Sequence, residues 1–204
     1  GTADGIGEAA GVAVSGSFAY VASGYDGMRV VDVSDPATPE HVGGFATFEP
    51  ARGVAVAGGY AFVAEDTFAA RVLDVSTPAD PVEAASVDTA GNANAITLAG
   101  DYAYVADWAG GLQLLEVSDP LYPTDSGFFA TASAAWGVAV SGTRAFVAAE
   151  TELYAVDVAD PTAIAELGAL PLWSSAAGVA VAGTRMYVAD SFAGERERHT
   201  LETL

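Results

Sequence analysis

The chain has 204 residues, 51% of them hydrophobic, with 27 acidic side chains against seven basic ones, a formal net charge of −20 and no cysteine. That length can bury a full core, and the missing cysteine excludes disulfide staples and thiol chemistry. The charge excludes nucleic acid as a partner, since phosphate binding needs a basic stripe, and it disfavours anionic membrane surfaces. All seven basic residues are Arg. So acidic a surface keeps a protein soluble, notably in salt, and also gathers cations and basic partners. No apolar run approaches the roughly 20 residues of a helical membrane span, and the first residues show no charged segment leading into an apolar one, so no signal peptide is expected there.

Residues 1–10 (GTADGIGEAA) hold Ile6 as their one large apolar side chain and correspond by position to the tail of a repeating unit. The unit itself, GVAVSGSFAYVASGYDGMRVVDVSDP from Gly11, is rewritten from Gly53, Ala95 and Gly137 and begins again at Gly178, with starts 42, 42, 42 and 41 residues apart. A fixed period of this size marks a repeat architecture. No linker interrupts it, so residues 1–204 are expected to form one domain.

Within a unit, Val12 and Val14 alternate with small residues, Ser15-Gly16-Ser17 turns the chain, and Phe18, Tyr20 and Ala22 alternate again. That pattern predicts a β-hairpin. A third strand follows at 28–33 and stops at Ser34-Asp35-Pro36, where Asp caps a turn and Pro ends the ladder. Weaker fourth strands are predicted at 41–46, 82–87, 126–130 and 164–170. Four short strands in about 42 residues make the blade of an all-β propeller, whose ring leaves only short, protected edges. The small GVAV strand suits the crowded centre. Phe18, Tyr20, Tyr60, Phe62, Tyr102, Tyr104, Phe146 and Tyr187 are then expected to fill the space between blades.

The stretches RVVDVSDP, RVLDVSTP, LQLLEVSDP and YAVDVADP, with the hairpins before them, resemble the LVIVD repeat family of β-propellers. The resemblance runs from Gly11 to about Asp190 and implies a cell-surface or secreted protein, with no family catalytic residues to carry over. The fifth unit departs from the pattern after Asp190, and residues 191–204 read as an irregular tail. We expect five blades, the last shared between the two termini. The alternatives are part of a larger propeller, or an open fragment that associates through an unclosed blade edge.

On a propeller, the links between units and the loops between second and third strands emerge on one face. That face collects Tyr25, Asp26, Glu49, Arg52, Glu65, Asp66, Phe68, Asn92, Asn94, Asp107, Trp108, Trp136, Glu150, Glu152, Trp173, Asp190 and Phe192. These positions vary between units far more than the strands do, which is how a repeat scaffold carries a binding face. All three Trp lie among them. Aromatics beside carboxylates suit a protein or carbohydrate ligand; the same Trp would equally serve as cover for blade junctions. The acidic residue closing the second strand, read as Asp66, Asp107 and Asp190 with Glu150 nearby, offers a weak Ca²⁺ site that lacks calcium-loop spacing. Solvated turn residues explain it better, and no cofactor is expected.

Asp32, Asp74, Glu116 and Asp157 recur in every third strand. A residue repeated in each blade is expected to bond the backbone of the adjacent turn, as are Asp35, Asp119 and Asp160 before proline. His41 and His199 are the only histidines, and neither sits with a Ser and an Asp in a unit-specific loop, so no nucleophile–base pair or three-ligand zinc site is expected. The reading that follows is a non-enzymatic binding or scaffolding module. A hydrolase or lyase using acidic residues at the mouth of the ring, and a purely structural repeat, are the alternatives.

Overall fold

The computed structural model describes residues 6–67, 69–172 and 175–190. Blade 1 holds β1 (Gly11–Ser15), β2 (Phe18–Ala22), β3 (Met28–Asp32) and β4 (Glu40–Phe45). Blade 2 holds β5 (Ala51–Ala57), β6 (Tyr60–Glu65), β7 (Ala69–Asp74) and β8 (Val82–Asp88). Blade 3 holds β9 (Ala95–Ala99), β10 (Tyr102–Ala106), β11 (Leu112–Glu116) and β12 (Thr124–Phe129). Blade 4 holds β13 (Ala135–Ser141), β14 (Arg144–Ala149), β15 (Glu152–Asp157) and β16 (Ala165–Pro171), and a fifth sheet pairs β17 (Ala176–Ala182) with β18 (Arg185–Asp190). Each sheet is antiparallel with its strands in chain order, and no helix occurs among the described residues.

The first strands β1, β5, β9, β13 and β17 pack each on the next. Their small residues are what lets them approach: a Cβ on Gly53 would lie 3.0 Å from the Ala95 Cα, and one on Gly137 would lie 2.8 Å from the Gly178 Cα. Cores form between blades. Tyr20, Met28 and Val30 meet Val54, Val63 and Leu73; Phe62 and Val72 meet Ile96, Val105 and Leu115; Tyr104, Leu112 and Leu114 meet Val138, Val147 and Val156. Six of the eight aromatics expected between blades pack into these three clusters, and Phe146 packs into the fourth. Tyr187 is exposed on blade 5. The order of blades follows from chemistry, because a lone four-stranded sheet with two apolar faces buries neither.

The repeated acids do what their recurrence predicts. Ser34 N donates to Asp32 Oδ1 at 2.8 Å, Ser76 N to Asp74 Oδ1 at 2.8 Å, Ser118 N to Glu116 Oε1 at 3.2 Å and Ala159 N to Asp157 Oδ1 at 3.0 Å. Asp35, Asp119 and Asp160 accept in the same way from Ala37, Leu121 and Thr162. Blades 1 to 4 each also shift register at one equivalent point between third and fourth strands, after Val30, Val72, Leu114 and Ala155.

A second period overlies the first. Backbone bridges join Gly24 to Ala51 and Trp108 to Ala135, tying blade 1 to blade 2 and blade 3 to blade 4. In the same two links Thr47 Oγ1 donates to the Glu49 carbonyl at 2.6 Å and Thr131 Oγ1 to the Ser133 carbonyl at 2.7 Å, while the equivalent Thr89 Oγ1 to Gly91 carbonyl contact between blades 2 and 3 is longer, at 3.5 Å. Units 1 and 3 close their second loop tightly, with Ser23 N donating to the Gly27 carbonyl and Asp107 N to the Gly111 carbonyl, both at 2.8 Å. Among the described residues no such bridge joins blade 2 to blade 3.

Residues 6–10 form no strand and do not join the β17–β18 sheet. Ile6 packs instead on Ala19, Val21 and Val31 of blade 1. Val12, whose counterparts Val54, Ile96 and Val138 are buried between blades, is exposed. The expected sharing of the last blade rests on residues 1–10 together with 178–204; residues 6–10 do not add to that sheet, and the rest of the expectation, on residues 1–5 and 191–204, lies outside the described residues.

Candidate functional site

The loop face is organised by two repeat positions, which the backbone bridges bring together at the blade 1–2 and blade 3–4 junctions. One follows the second strand; the other is the second residue of the next unit's inner approach. From blade to blade these positions hold Gly24 with Arg52, Asp66 with Asn94, Trp108 with Trp136, and Glu150 with Ala177. Six of the candidate residues therefore occupy two structural addresses, and each junction carries a different pair.

Between blades 3 and 4 the chemistry is aromatic. Trp108 N donates to the Ala135 carbonyl at 3.2 Å, Ala135 N donates back to the Trp108 carbonyl at 2.9 Å, and Asn94 Nδ2 donates to the same Ala135 carbonyl at 3.1 Å. Trp136 is the next residue along. Both indoles are half-exposed, at 42% for Trp108 and 38% for Trp136, so they neither bury fully nor stand free. Trp108 has φ of 45°, the one non-glycine residue in the left-handed region among those described; Gly24, at the same address in unit 1, has φ of 54°. A bulky side chain in that conformation costs roughly 1–2 kcal/mol where glycine costs nothing.

Beneath Trp108 sits Asp107, fully buried. Its Oδ2 accepts from Gly91 N at 2.6 Å, and its Oδ1 has no hydrogen-bond partner. Burial pushes the carboxyl above its ordinary range, against bonds from Thr89 and from the Gly91 and Ala90 backbone that favour the charged form. Gln113 fastens the same link, its Oε1 accepting from Ala90 N at 3.1 Å. Thr89, Gly91 and Gln113 escaped sequence reasoning. Gln113 left one signal, since it stands where units 1 and 2 have Arg29 and Arg71.

Elsewhere on the face the polar residues are held. Arg52 Nη2 and Asp66 Oδ2 lie 2.6 Å apart, and Asn92 Nδ2 donates to Asp66 Oδ1 at 2.8 Å. Those bonds, that of Asn92 foremost, hold the Asp66 carboxyl below its usual range. Asp26 pairs with Arg29 at 3.5 Å, and Tyr25 and Glu150 are exposed. Glu152 accepts the Tyr154 hydroxyl, which itself accepts from Ala132 N at 3.1 Å.

The strand register corrects the acidic series. Glu65 pairs with Ala51 and Asp190 with Ala176, so Glu65, Asp107 and Asp190 share a position and Asp66 falls one residue later. Glu65 is buried against Arg71, Asp66 is held by Arg52 and Asn92, and Asp107 is buried under its link; these three do not form an open carboxylate ring. Among the described residues no three His, Asp or Glu side chains gather as a metal site. Trp173, Phe68 and Phe192 lie outside the described residues, as does the side chain of Asp190.

The LVIVD repeat model matches residues 6–47, 50–89, 90–131 and 132–170. The chain belongs to the LVIVD repeat family. Its first four units are LVIVD repeats, and the β17–β18 hairpin continues the same pattern beyond the matched residues. No curated protein matches the chain in sequence. Among solved structures it is similar to a functionally unknown protein from Desulfotomaculum acetoxidans DSM 771, with a TM-score of 0.75 at 14% identity, covering 88% of this chain and 62% of that one. It is also similar to the computationally designed Ika8 protein, with a TM-score of 0.71 at 8% identity over 88% of this chain and 54% of that one. The designed Ika4 protein gives a TM-score of 0.60 at 9% identity, covering 71% and 88%. These likenesses concern the fold. This LVIVD chain spans 54% of Ika8 and 62% of the Desulfotomaculum protein.

Proposed function

We propose that this LVIVD propeller is a non-enzymatic binding module that recognises a Lys- or Arg-bearing polypeptide segment through Trp108 and Trp136 at the junction of blades 3 and 4. The observation that carries the reading is Trp108 in a left-handed conformation at an address where unit 1 has glycine. Backbone strain kept under a half-exposed indole is the kind of cost met at ligand-contacting sites. A second indole on the adjacent strand start widens the platform, and indole faces attract cations. The net charge of −20 draws basic partners toward the face and repels acidic ones. The setting is the cell surface or the secreted fraction, as the family resemblance implies.

Tryptophan fluorescence titration tests this. A Lys-rich peptide should quench or shift the emission saturably, more weakly at high salt, and its lysine-acetylated analogue should bind much less. Trp136→Ala and Trp108→Gly should each weaken binding about tenfold or more, the scale of an aromatic anchor at an interface. Saturable binding of a neutral oligosaccharide with none of the peptide would overturn the ligand class. Peptide binding undiminished in both variants would overturn the site.

A further inference from the structure

Blades 2 and 4 build their loop-face ends on one backbone frame. In blade 2, Ala51 pairs with Glu65 and Gly53 with Ala64, so Arg52 is the extra residue of a bulge, and Asp66 N donates to the Pro50 carbonyl at 3.0 Å. In blade 4, Ala135 pairs with Ala149 and Gly137 with Ala148, so Trp136 is the extra residue, and Glu150 N donates to the Ala134 carbonyl at 2.9 Å. Trp136 and Glu150 therefore stand where blade 2 has Arg52 and Asp66. In blade 2 the two side chains meet, Arg52 Nη2 lying 2.6 Å from Asp66 Oδ2. Blade 4 keeps the acid and lacks the cation. Glu150 is exposed, and among the described residues no hydrogen bond or ion pair engages its carboxylate. Of the other acids at this junction, Glu152 accepts from the Tyr154 hydroxyl and Asp107 is buried.

We infer that Glu150 makes the indole platform selective for an arginine side chain of the partner, which supplies the guanidinium that blade 4 lacks, an inference that rests on Trp108 and Trp136 binding a basic segment. A guanidinium arriving from the loop face meets two surfaces at once. Its flat side lies on the Trp136 indole, and its edge turns to the Glu150 carboxylate as the Arg52 fork turns to Asp66. Trp108, bridged to Ala135 beside Trp136, adds the second ring. A guanidinium is planar and weakly hydrated, so it stacks and forks together. A lysine ammonium is a compact, strongly hydrated point charge, which gives up one contact to make the other. Blade 2 holds such an arrangement inside the fold. There the Arg71 guanidinium lies over Phe48, 5.2 Å from the ring centre, while Nη2 donates to Glu65 Oε2 at 3.1 Å.

The probes are short, otherwise uncharged peptides carrying one arginine, one lysine or one citrulline, titrated into the full chain with tryptophan fluorescence as the readout. Citrulline keeps the shape of arginine and lacks its charge. The arginine peptide should bind saturably, about tenfold more tightly than the lysine peptide, and the citrulline peptide should bind most weakly. Glu150→Gln should weaken the arginine peptide about tenfold, the scale of one charge-assisted hydrogen bond, and erase its preference over lysine. Glu40→Gln removes an equal charge from the exposed edge of blade 1 and should leave the affinities unchanged, which separates a contact at Glu150 from the field of the whole chain. Equal binding of arginine and lysine peptides, or an affinity that Glu150→Gln changes no more than Glu40→Gln does, would overturn the role of Glu150 and leave the indole platform standing. Binding of neither basic peptide, or an arginine peptide held as tightly by Trp108→Gly and Trp136→Ala as by the parent, would overturn the platform and the selectivity of Glu150 with it.

Discussion

Arg71→Ala tests the largest electrostatic commitment in the fold. Arg71 donates from Nε to Glu65 Oε1 and from Nη2 to Glu65 Oε2 at 3.1 Å, and its Nη1 lies 2.6 Å from Glu83 Oε2. The guanidinium also lies over Phe48, 5.2 Å from the ring centre. The side chains of Arg71 and Glu65 are 7% and 1% exposed, that of Glu83 38%. Taking the arginine away leaves a carboxylate in the core with no counter-charge, which costs about 3–5 kcal/mol; the exposed Glu83 pair adds at most about 1 kcal/mol. At roughly 2–4 °C per kcal/mol for a chain of this size, melting should fall by about 6–24 °C. Urea unfolding followed by tryptophan fluorescence measures it. The double variant Glu65→Leu with Arg71→Met should recover most of the loss, since a buried pair replaced by apolar groups of similar volume is close to neutral. Unit 4 already places Ala149 and Tyr154 at these two addresses. A loss below about 1 kcal/mol for Arg71→Ala, or a double variant as unstable as the single one, would refute the reasoning.

Asp107→Asn should alter the pH dependence of stability. An acid with its native pKa above its unfolded value holds more protons folded than unfolded between the two. Stability then falls as pH rises from about 3.9 through the native value and stays lower above it. The variant should flatten that fall and exceed the parent in stability at pH 7, measured by denaturant unfolding from pH 4 to 8; parallel curves would count against it. Gly111→Ala should cost more than about 3 kcal/mol, because the residue has φ of 76° and a Cβ would fall on the Phe129 carbonyl oxygen. Gly142→Ala, with φ of 60° and open space around it, should cost about 1 kcal/mol. Equal losses by calorimetry would show that close approach plays no part at Gly111.

Most of the fold was legible in the sequence. The 42-residue spacing, the alternation around Val12 and Phe18, and the Ser-Asp-Pro stops are local signals, and local hydrogen bonds realise them. The turn bonds of Asp32, Asp74, Glu116 and Asp157 were readable for the same reason, since acid and amide lie two residues apart. The candidate site was legible only as a set of positions. That Trp108 is bridged to Ala135, the neighbour of Trp136, depends on residues 27 apart, and a unit-by-unit reading gives no distance between them.

What the sequence determined by itself is the repeat, the strands it dictates and the aromatic packing between blades. Each follows from side-chain period and from contacts that recur in every unit. The tertiary structure alone decided which acids are buried and which are held at the surface, because a one-residue offset on a strand moves a side chain to the other face. It separated Glu65 and Asp107 from Asp66 and joined the blades in pairs through Gly24 and Trp108. Both arise where unlike residues from neighbouring units come together, and such meetings are set by how the blades pack.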